Sequence, residues 1–491
     1  MTQAAFCPPE RRRYVLIAAI LASSMGFIDG TVISIAIPAI RADLGASLAD
    51  AQWVSNAYLL LLSSVLLLGG AMGDRYGIRR VFMGGIVAFV LASLASAVAP
   101  NALVLIVARA LQGLGAAFMV PASLAIIAKA YPKDERGRAI GIWAASSSFF
   151  TIAGPVIGGL LLTGLGDWSW RLVFAVNLPL GGVALLLLWL KVPADAPEAG
   201  RRLDVVGAGL ATLALLLAAL ALTGESTTGS ARLLLGAGAI GLGLGFVWWE
   251  SRTSGPMVPL ALFADKAFSG AQGLTFALYF ALAAISFYLP TTMIVGWGAS
   301  PAVVALVLLP LGILLTVLSP LAGTLSDKFG PGPMIAAGSG LVALAFLGLG
   351  LTAPLHEIWL VVLPLMVLFG LGMSLVVSPL STAVMTSVAD HDTGTASGIN
   401  NAMARVAGLL AVATMGSLGA LVFDGQLGGG ATGLSFGAGV EGGLTADAVA
   451  ATDAAFSAIA YATAGLALLS GIVSWTTLAR RRPSPSATDR S

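Results

Sequence analysis

Asp29 stands in the stretch 26–38, GFIDGTVISIAIP, with apolar residues running back to Tyr14 and on to Ile40. A carboxyl there can do two kinds of chemistry. It can hold a fixed cation, or it can take up and release a proton. Left alone among apolar neighbours its charge would be costly. A cation at matching depth exists in Arg109. Asp29 lies about eleven residues, roughly 16 Å of helix, short of Ile40. Arg109 lies about seven residues, roughly 10 Å, inside the run that starts near Ala102. These levels agree to within about 6 Å, which an arginine side chain can span. Two readings stay open: a static ion pair that fixes helix packing, or a carboxyl that exchanges its proton while Arg109 biases its affinity. All the other acids fall at run ends or in loops. Arg405, in the stretch NNAMAR at 400–405, also sits within a run but has no acid at its own depth. It pairs with helix carbonyls, or it faces a cavity and meets an anionic group.

Other chemistry is sparse. His356 and His391 flank different runs, and Cys7 is the single cysteine. No metal-ligand spacing, nucleophile–base pair or phosphate loop is present, so no enzyme, metal or cofactor is expected. Nothing points to a nucleic acid. Gln52, Asn56, Gln112 and Asn400 are polar residues within apolar runs. They bridge helices or line a cavity. Phe149, Phe150, Phe276, Tyr279, Phe280, Phe287 and Tyr288 are aromatic candidates for such a cavity. Tyr279 and Tyr288 stand out, because a buried hydroxyl needs a partner.

The elements that must position these residues follow from composition. Of 491 residues, 58% are hydrophobic and 10% charged. Mean hydropathy is +0.95. A soluble protein carries about 25% charge, so this chain is expected to be a polytopic membrane protein. The 61 glycines suit close helix packing in lipid. Apolar runs of spanning length occur near 14–40, 52–72, 81–99, 102–129, 138–164, 171–190, 204–223, 232–249, 268–296, 302–324, 333–352, 358–386, 394–423 and 454–478. The first follows Arg11–Arg13 and is too long for a signal peptide. Fourteen alternating spans place all basic residues on one side except Arg41, Arg171 and Arg232 outside and Arg109 and Arg405 within helices. A wrong count would mix the sides, so both termini are expected in the cytoplasm, with the chain in the plasma membrane. The glycine-rich segment 424–452 lacks periodicity and is expected to be mobile.

The segment GAMGDRYG at 70–77 recurs as GTLSDKFG at 323–330. Such a parallel repeat marks a transporter built from two similar halves. The first copy follows the second run and the second follows the tenth, so one pair of runs is extra. The expected scheme is six plus two plus six: residues 1–191, an inserted pair with linkers at 192–267, and residues 268–491. For Asp74, Arg75, Arg79 and Arg80, and for Asp327 and Lys328, two readings are open. They form a solvated turn that enforces topology, or a charge latch holding one conformation shut. The repeated Asp-[Arg/Lys]-x-Gly order, with Gly70, Gly77 and Gly330, favours the latch.

These residues resemble a family, the major facilitator superfamily, and within it the fourteen-helix drug:proton antiporter branch. The likeness is carried by FIDGTVISIAIPAI at 27–40, GAMGDRYGIRR at 70–80, RALQGLGAA at 109–117, Gly154-Pro155-Val-Ile-Gly158-Gly159, and WSWRLVFAVNLP at 168–179. Gly30 departs from the bulky residue usual there. The resemblance implies two six-helix bundles plus two central helices, a central cavity lined by the first and fourth helices, and export linked to Gly154, Pro155, Gly158 and Gly159. The expected function is a monomeric secondary exporter, driven by inward proton flow, with Asp29 and Arg109 as the coupling pair. The expected substrate cavity draws on Gln52, Asn56, Gln112, Tyr279, Tyr288, Asn400 and Arg405. With one buried acid, neutral or monovalent cationic lipophilic substrates are expected over divalent ones. A dedicated exporter of one metabolite or antibiotic is the alternative. Proton-coupled uptake is disfavoured by the Gly-Pro motif.

Overall fold

A computed structural model describes residues 6–195, 203–223, 229–389, 392–428, 434–439 and 443–478. Arg201, Arg202, Arg480, Arg481, Arg482 and Arg490 of the charge count, His391, and parts of segment 424–452 lie outside the described residues.

Among the described residues there is no strand, and fourteen helices are long and apolar enough to cross a membrane. They are α1 (Pro9–Leu44), α2 (Leu48–Tyr76), α3 (Ile78–Ala97), α4 (Ala102–Ala130), α5 (Glu135–Leu165), α6 (Asp167–Lys191), α7 (Val205–Thr223), α8 (Gly229–Glu250), α9 (Lys266–Gly296), α10 (Pro301–Phe329), α11 (Pro331–Leu355), α12 (Ile358–Thr386), α13 (Thr393–Gln426) and α14 (Ala446–Thr477). The helices outrun the apolar segments read from the sequence, because charged residues such as Arg11–Arg13 continue the helical geometry while keeping their heads in a polar zone. The sixth is interrupted at Val176. Pro179 has no N–H to offer the carbonyl of Ala175, so the regular ladder lapses there.

Turns are set by local chemistry. A reciprocal cap between Ser47 and Asp50 starts α2. Gly77 joins α2 to α3 at φ 95°, and Gly330 joins α10 to α11 at φ 84°. Both copies of the repeated motif therefore end in a glycine because the backbone there is left-handed.

The repeat is also one of packing. In the first half α2 and α3 pack on α4, and α1 packs on α5 and α6. In the second, α10 and α11 pack on α12, and α9 packs on α13 and α14. The halves meet where α2 packs on α13, α5 on α10 and α1 on α9. The extra helices α7 and α8 pair with each other, and α7 leans on both α2 and α13. The Ser417 hydroxyl of α13 donates to the Leu222 carbonyl of α7. Leu233 and Leu234 of α8 are 76% and 75% exposed, a surface suited to lipid.

With an even number of spans, α1 begins and α14 ends on one face, here called the near face. The opposite face carries the α1–α2 turn and is called the far face.

Candidate functional site

Asp29 and Arg109 are brought into contact by glycine. A Cβ on Gly113 would come within 2.2 Å of the Tyr58 carbonyl oxygen, so α4 lies directly against α2. One turn earlier on α4, Arg109 reaches α1. Its Nη1 lies 2.5 Å from Asp29 Oδ2, and each residue is 1% exposed. Arg109 Nε donates to the Val54 carbonyl at 2.9 Å, and Nη1 also donates to Gln112 Oε1 at 2.6 Å. The guanidinium lies 4.5 Å from the Tyr58 ring centroid. Gln112 Nε2 donates to Asp29 Oδ1 and to Ser93 Oγ, both at 3.0 Å. Asn177 Nδ2 donates to the same Ser93 at 3.2 Å. A charged, hydrogen-bonded core thus ties α1, α2, α3, α4 and α6 together. Both Asp29 oxygens are engaged, and the pair is sealed from solvent. Ser93 carried no signal in the sequence, and Asn177 was visible only within a motif.

Beside this core lies a cavity of about 350 Å³, within the range of small-molecule sites. Residues of α1, α2 and α5 form one wall, and residues of α9, α10 and α13 form the other. Gly30, Asp29's neighbour, is on the wall and a Cβ there would meet nothing within 4 Å. Tyr279, Phe287 and Arg405 line it too. The other polar candidates are placed elsewhere. Gln112 belongs to the Asp29 core. Gln52 Nε2 donates to the Tyr288 hydroxyl at 3.0 Å, and that hydroxyl donates to the Val412 carbonyl at 2.5 Å. Asn400 Oδ1 accepts from Thr275 Oγ1 at 2.6 Å. Asn56 is fully buried and neither amide atom has a hydrogen-bond partner among the described residues. Each of these four polar residues satisfies or seeks a helix neighbour, as buried amides do. Of the aromatic candidates, Phe149, Phe150, Phe276 and Phe280 lie off the lining as well.

A second buried acid is Asp453 of α14, 4% exposed. It accepts from Trp297 Nε1 and meets His356 Nε2, both at 2.8 Å. These contacts tie α14 to the ends of α9 and α11 near the far face, away from the cavity.

The first copy of the repeated loop motif closes on a residue far along the chain. Gly77 has no side chain to cap α3. Asp195, just past α6, supplies it: its carboxylate accepts from the N–H groups of Ile78 at 2.8 Å and Arg79 at 3.0 Å. Lys129 of α4 adds an ion pair at 3.2 Å. Burial pushes the Asp195 carboxyl up, but the two N–H groups and the Lys129 ammonium outweigh it and hold the carboxyl below its ordinary value. Arg79 donates onward to the carbonyls of Leu188 and Trp189, at 3.0 and 3.1 Å, at the end of α6. Gly70 lies close to Pro121 of α4. Asp74 is half-buried, Arg75 and Arg80 are exposed, and Arg75 lies over the Tyr76 ring. In the second copy Asp327 and Lys328 are exposed and make no hydrogen bond or ion pair with the described residues. The two copies share a backbone turn and differ in their charge contacts.

The Gly-Pro stretch occupies the seam between halves. Pro155 lines the cavity. A Cβ on Gly154 would lie 2.7 Å from Thr31 Oγ1, and one on Gly158 would lie 2.5 Å from Val32 Cγ1, both on α1. A Cβ on Gly159 would lie 2.7 Å from the Pro301 carbonyl oxygen at the start of α10. Four residues on, Thr163 Oγ1 accepts from Ala302 N–H at 3.0 Å. On the same face Arg41 is buried and donates to Phe436 O at 2.9 Å and Ser435 Oγ at 3.0 Å. Contacts between the halves are thus built into the far face.

The Major Facilitator Superfamily sequence profile matches residues 19–412. Multidrug resistance protein Stp of Mycobacterium tuberculosis (strain CDC 1551 / Oshkosh) is 34% identical over 82% of this chain and 75% of its own length. The Tetracenomycin C resistance and export protein of Streptomyces glaucescens is 33% identical over the same shares. Among solved structures, a bacterial homolog of the human lysosomal transporter Spinster, in an inward-facing and occupied conformation, superposes with TM-score 0.70. It is 17% identical, with 98% of this chain and 100% of that one covered.

Proposed function

This chain belongs to the Major Facilitator Superfamily, and from that premise we propose that it is a proton-driven exporter of lipophilic compounds. It is a multi-pass membrane transporter rather than an enzyme. In the proposed cycle, Asp29 takes a proton when the cavity opens outward and exported substrate leaves. The proton is lost when the cavity opens inward and substrate binds again. The observation that carries this reading is the Asp29–Arg109 pair, buried one residue from a cavity wall between the two halves. Protonation of Asp29 removes the counter-charge of Arg109 and loosens the links from α4 to α1. Coupling then runs through helix packing, since Asp29 itself is off the cavity lining. The driving force is the proton gradient, with no resident cofactor. In this reading the near face is cytoplasmic and the far-face contacts lie on the outer side of the plasma membrane, which the excess of basic residues on the near side supports. The protein works as a monomer.

The deciding experiment uses purified protein in vesicles with an imposed pH gradient. Substrate-dependent proton flux is expected for the wild type and absent in Asp29→Asn. Wild-type coupling in that variant would sink the proposal. A second reading is a dedicated exporter of one endogenous metabolite or antibiotic. The relative named for resistance to and export of tetracenomycin C favours it. A resistance profile over chemically varied toxins separates the two: one protected compound supports the dedicated exporter.

A further inference from the structure

The cavity wall carries one ionised side chain, Arg405 of α13, and no acid. Arg405 makes no hydrogen bond or ion pair with any described residue. Asp29 is off the lining, with both oxygens engaged by Arg109 and Gln112. The remaining surface is apolar, from residues such as Leu59, Leu282, Leu308 and Phe287, with a few hydroxyls including Ser34 and Ser286.

The site therefore carries an excess positive charge in both protonation states. With Asp29 ionised, its charge and that of Arg109 cancel, leaving Arg405. With Asp29 protonated, Arg109 adds a second positive charge. A cationic guest would face repulsion with no carboxylate to meet it. An unpartnered guanidinium in a low-dielectric pocket gains most from a carboxylate or phenolate, which it can bind through two parallel N–H groups.

Resting on the reading of this cavity as the transport site, we infer that its substrates are lipophilic monoanions, an acidic group on an apolar, commonly aromatic body, with Arg405 as the residue that selects them. This departs from the expectation of neutral or monovalent cationic substrates, which counted acids and left out which of them faces the cavity. The anion does not compete with the proton for Asp29; its charge is met across the cavity, on α13.

The test is binding of three pyrene probes to the full chain in lipid nanodiscs: pyrenebutyrate, its neutral amide, and the matched trimethylammonium compound. The butyrate is expected to bind about tenfold or more tighter than the ammonium probe. Arg405→Gln should erase that preference while amide binding persists, which also reports that the variant is folded. Arg405→Lys should restore part of it. Equal binding, tighter binding of the ammonium probe, no binding of the butyrate, or a preference that survives Arg405→Gln would each overturn the inference. Flux of the same probes under a pH gradient separates this from the exporter reading. Gradient-driven flux of the ammonium probe without anion preference overturns the inference and leaves the exporter standing. Anion binding at Arg405 without gradient-driven flux supports it and removes the exporter.

Discussion

At the scale of single residues, the Asp29–Arg109 pair makes separable predictions for stability and for transport. Removing one partner leaves a buried charge uncompensated. Arg109→Ala is therefore expected to cost about 3–5 kcal/mol, read as a lowered unfolding temperature in detergent. Replacing both, as Asp29→Asn with Arg109→Gln, should recover much of that stability and still lack proton-coupled flux. A double variant that couples like the wild type would leave only the packing role. Asp29 was legible in the sequence because no other acid lay so deep in an apolar run, and Arg109 because helical rise converts residue counts to depth. Gln112 was legible only as a polar residue that bridges helices or lines a cavity, and Ser93 and Asn177 were not legible as partners of the pair, since an amide or hydroxyl is cheap enough in lipid to occur without any task. Gly30 acquires a reason: it leaves space on the cavity wall beside Asp29. Gly30→Ala should be silent, whereas Gly30→Phe should cut flux while the unfolding temperature stays within the spread of neutral variants.

Between elements, helix ends and helix contacts carry the predictions. Asp195 caps α3 from the end of α6. Its folded-state carboxyl lies below the unfolded value, so its stabilisation is complete above the ordinary carboxylate range near pH 4 and is lost as pH falls through the lowered value. Asp195→Asn should therefore flatten the acid limb of a melting-temperature profile. At neutral pH it should cost about 0.5–2 kcal/mol, the usual range for a lost cap. An unchanged acid limb would remove Asp195 from this role. The loop motif was legible as a repeat, but its capping partner was not, being 117 residues away. The far-face contact of Gly159 with Pro301 makes a second prediction. Gly159→Val should cost about 1–3 kcal/mol through overpacking and reduce flux, while Gly164→Ala, where nothing lies within 4 Å, should do neither.

For the whole molecule, alternating access requires the halves to part on the far face. Thr163 and Ala302 face each other across that seam. In a Cys7→Ser background, Thr163→Cys with Ala302→Cys should be joined by a short bis-methanethiosulfonate cross-linker, which links the two thiols through reducible disulfides. Flux should stop and return on reduction. Undiminished flux in the cross-linked protein would mean that this seam never opens. The helices α7 and α8 span both sides of another seam, through α7 against α2 and α13. That placement was not visible in the sequence, where the pair showed only as an insertion between two repeats.

Composition and order alone determined that the chain is a fourteen-helix membrane protein of two similar halves, because lipid forces every spanning segment to declare itself by length and hydropathy. They also singled out Asp29 and Arg109, because a charge in lipid is too costly to be incidental. Which face each helix turns inward was decided only by tertiary packing. In an all-apolar helix, lipid and protein neighbours leave nearly the same mark on the sequence. For that reason Gln52, Asn56, Gln112, Tyr288 and Asn400 could not be told from Tyr279 and Arg405 until the helices were placed, and the charge of the cavity could not be read from the number of acids in the chain.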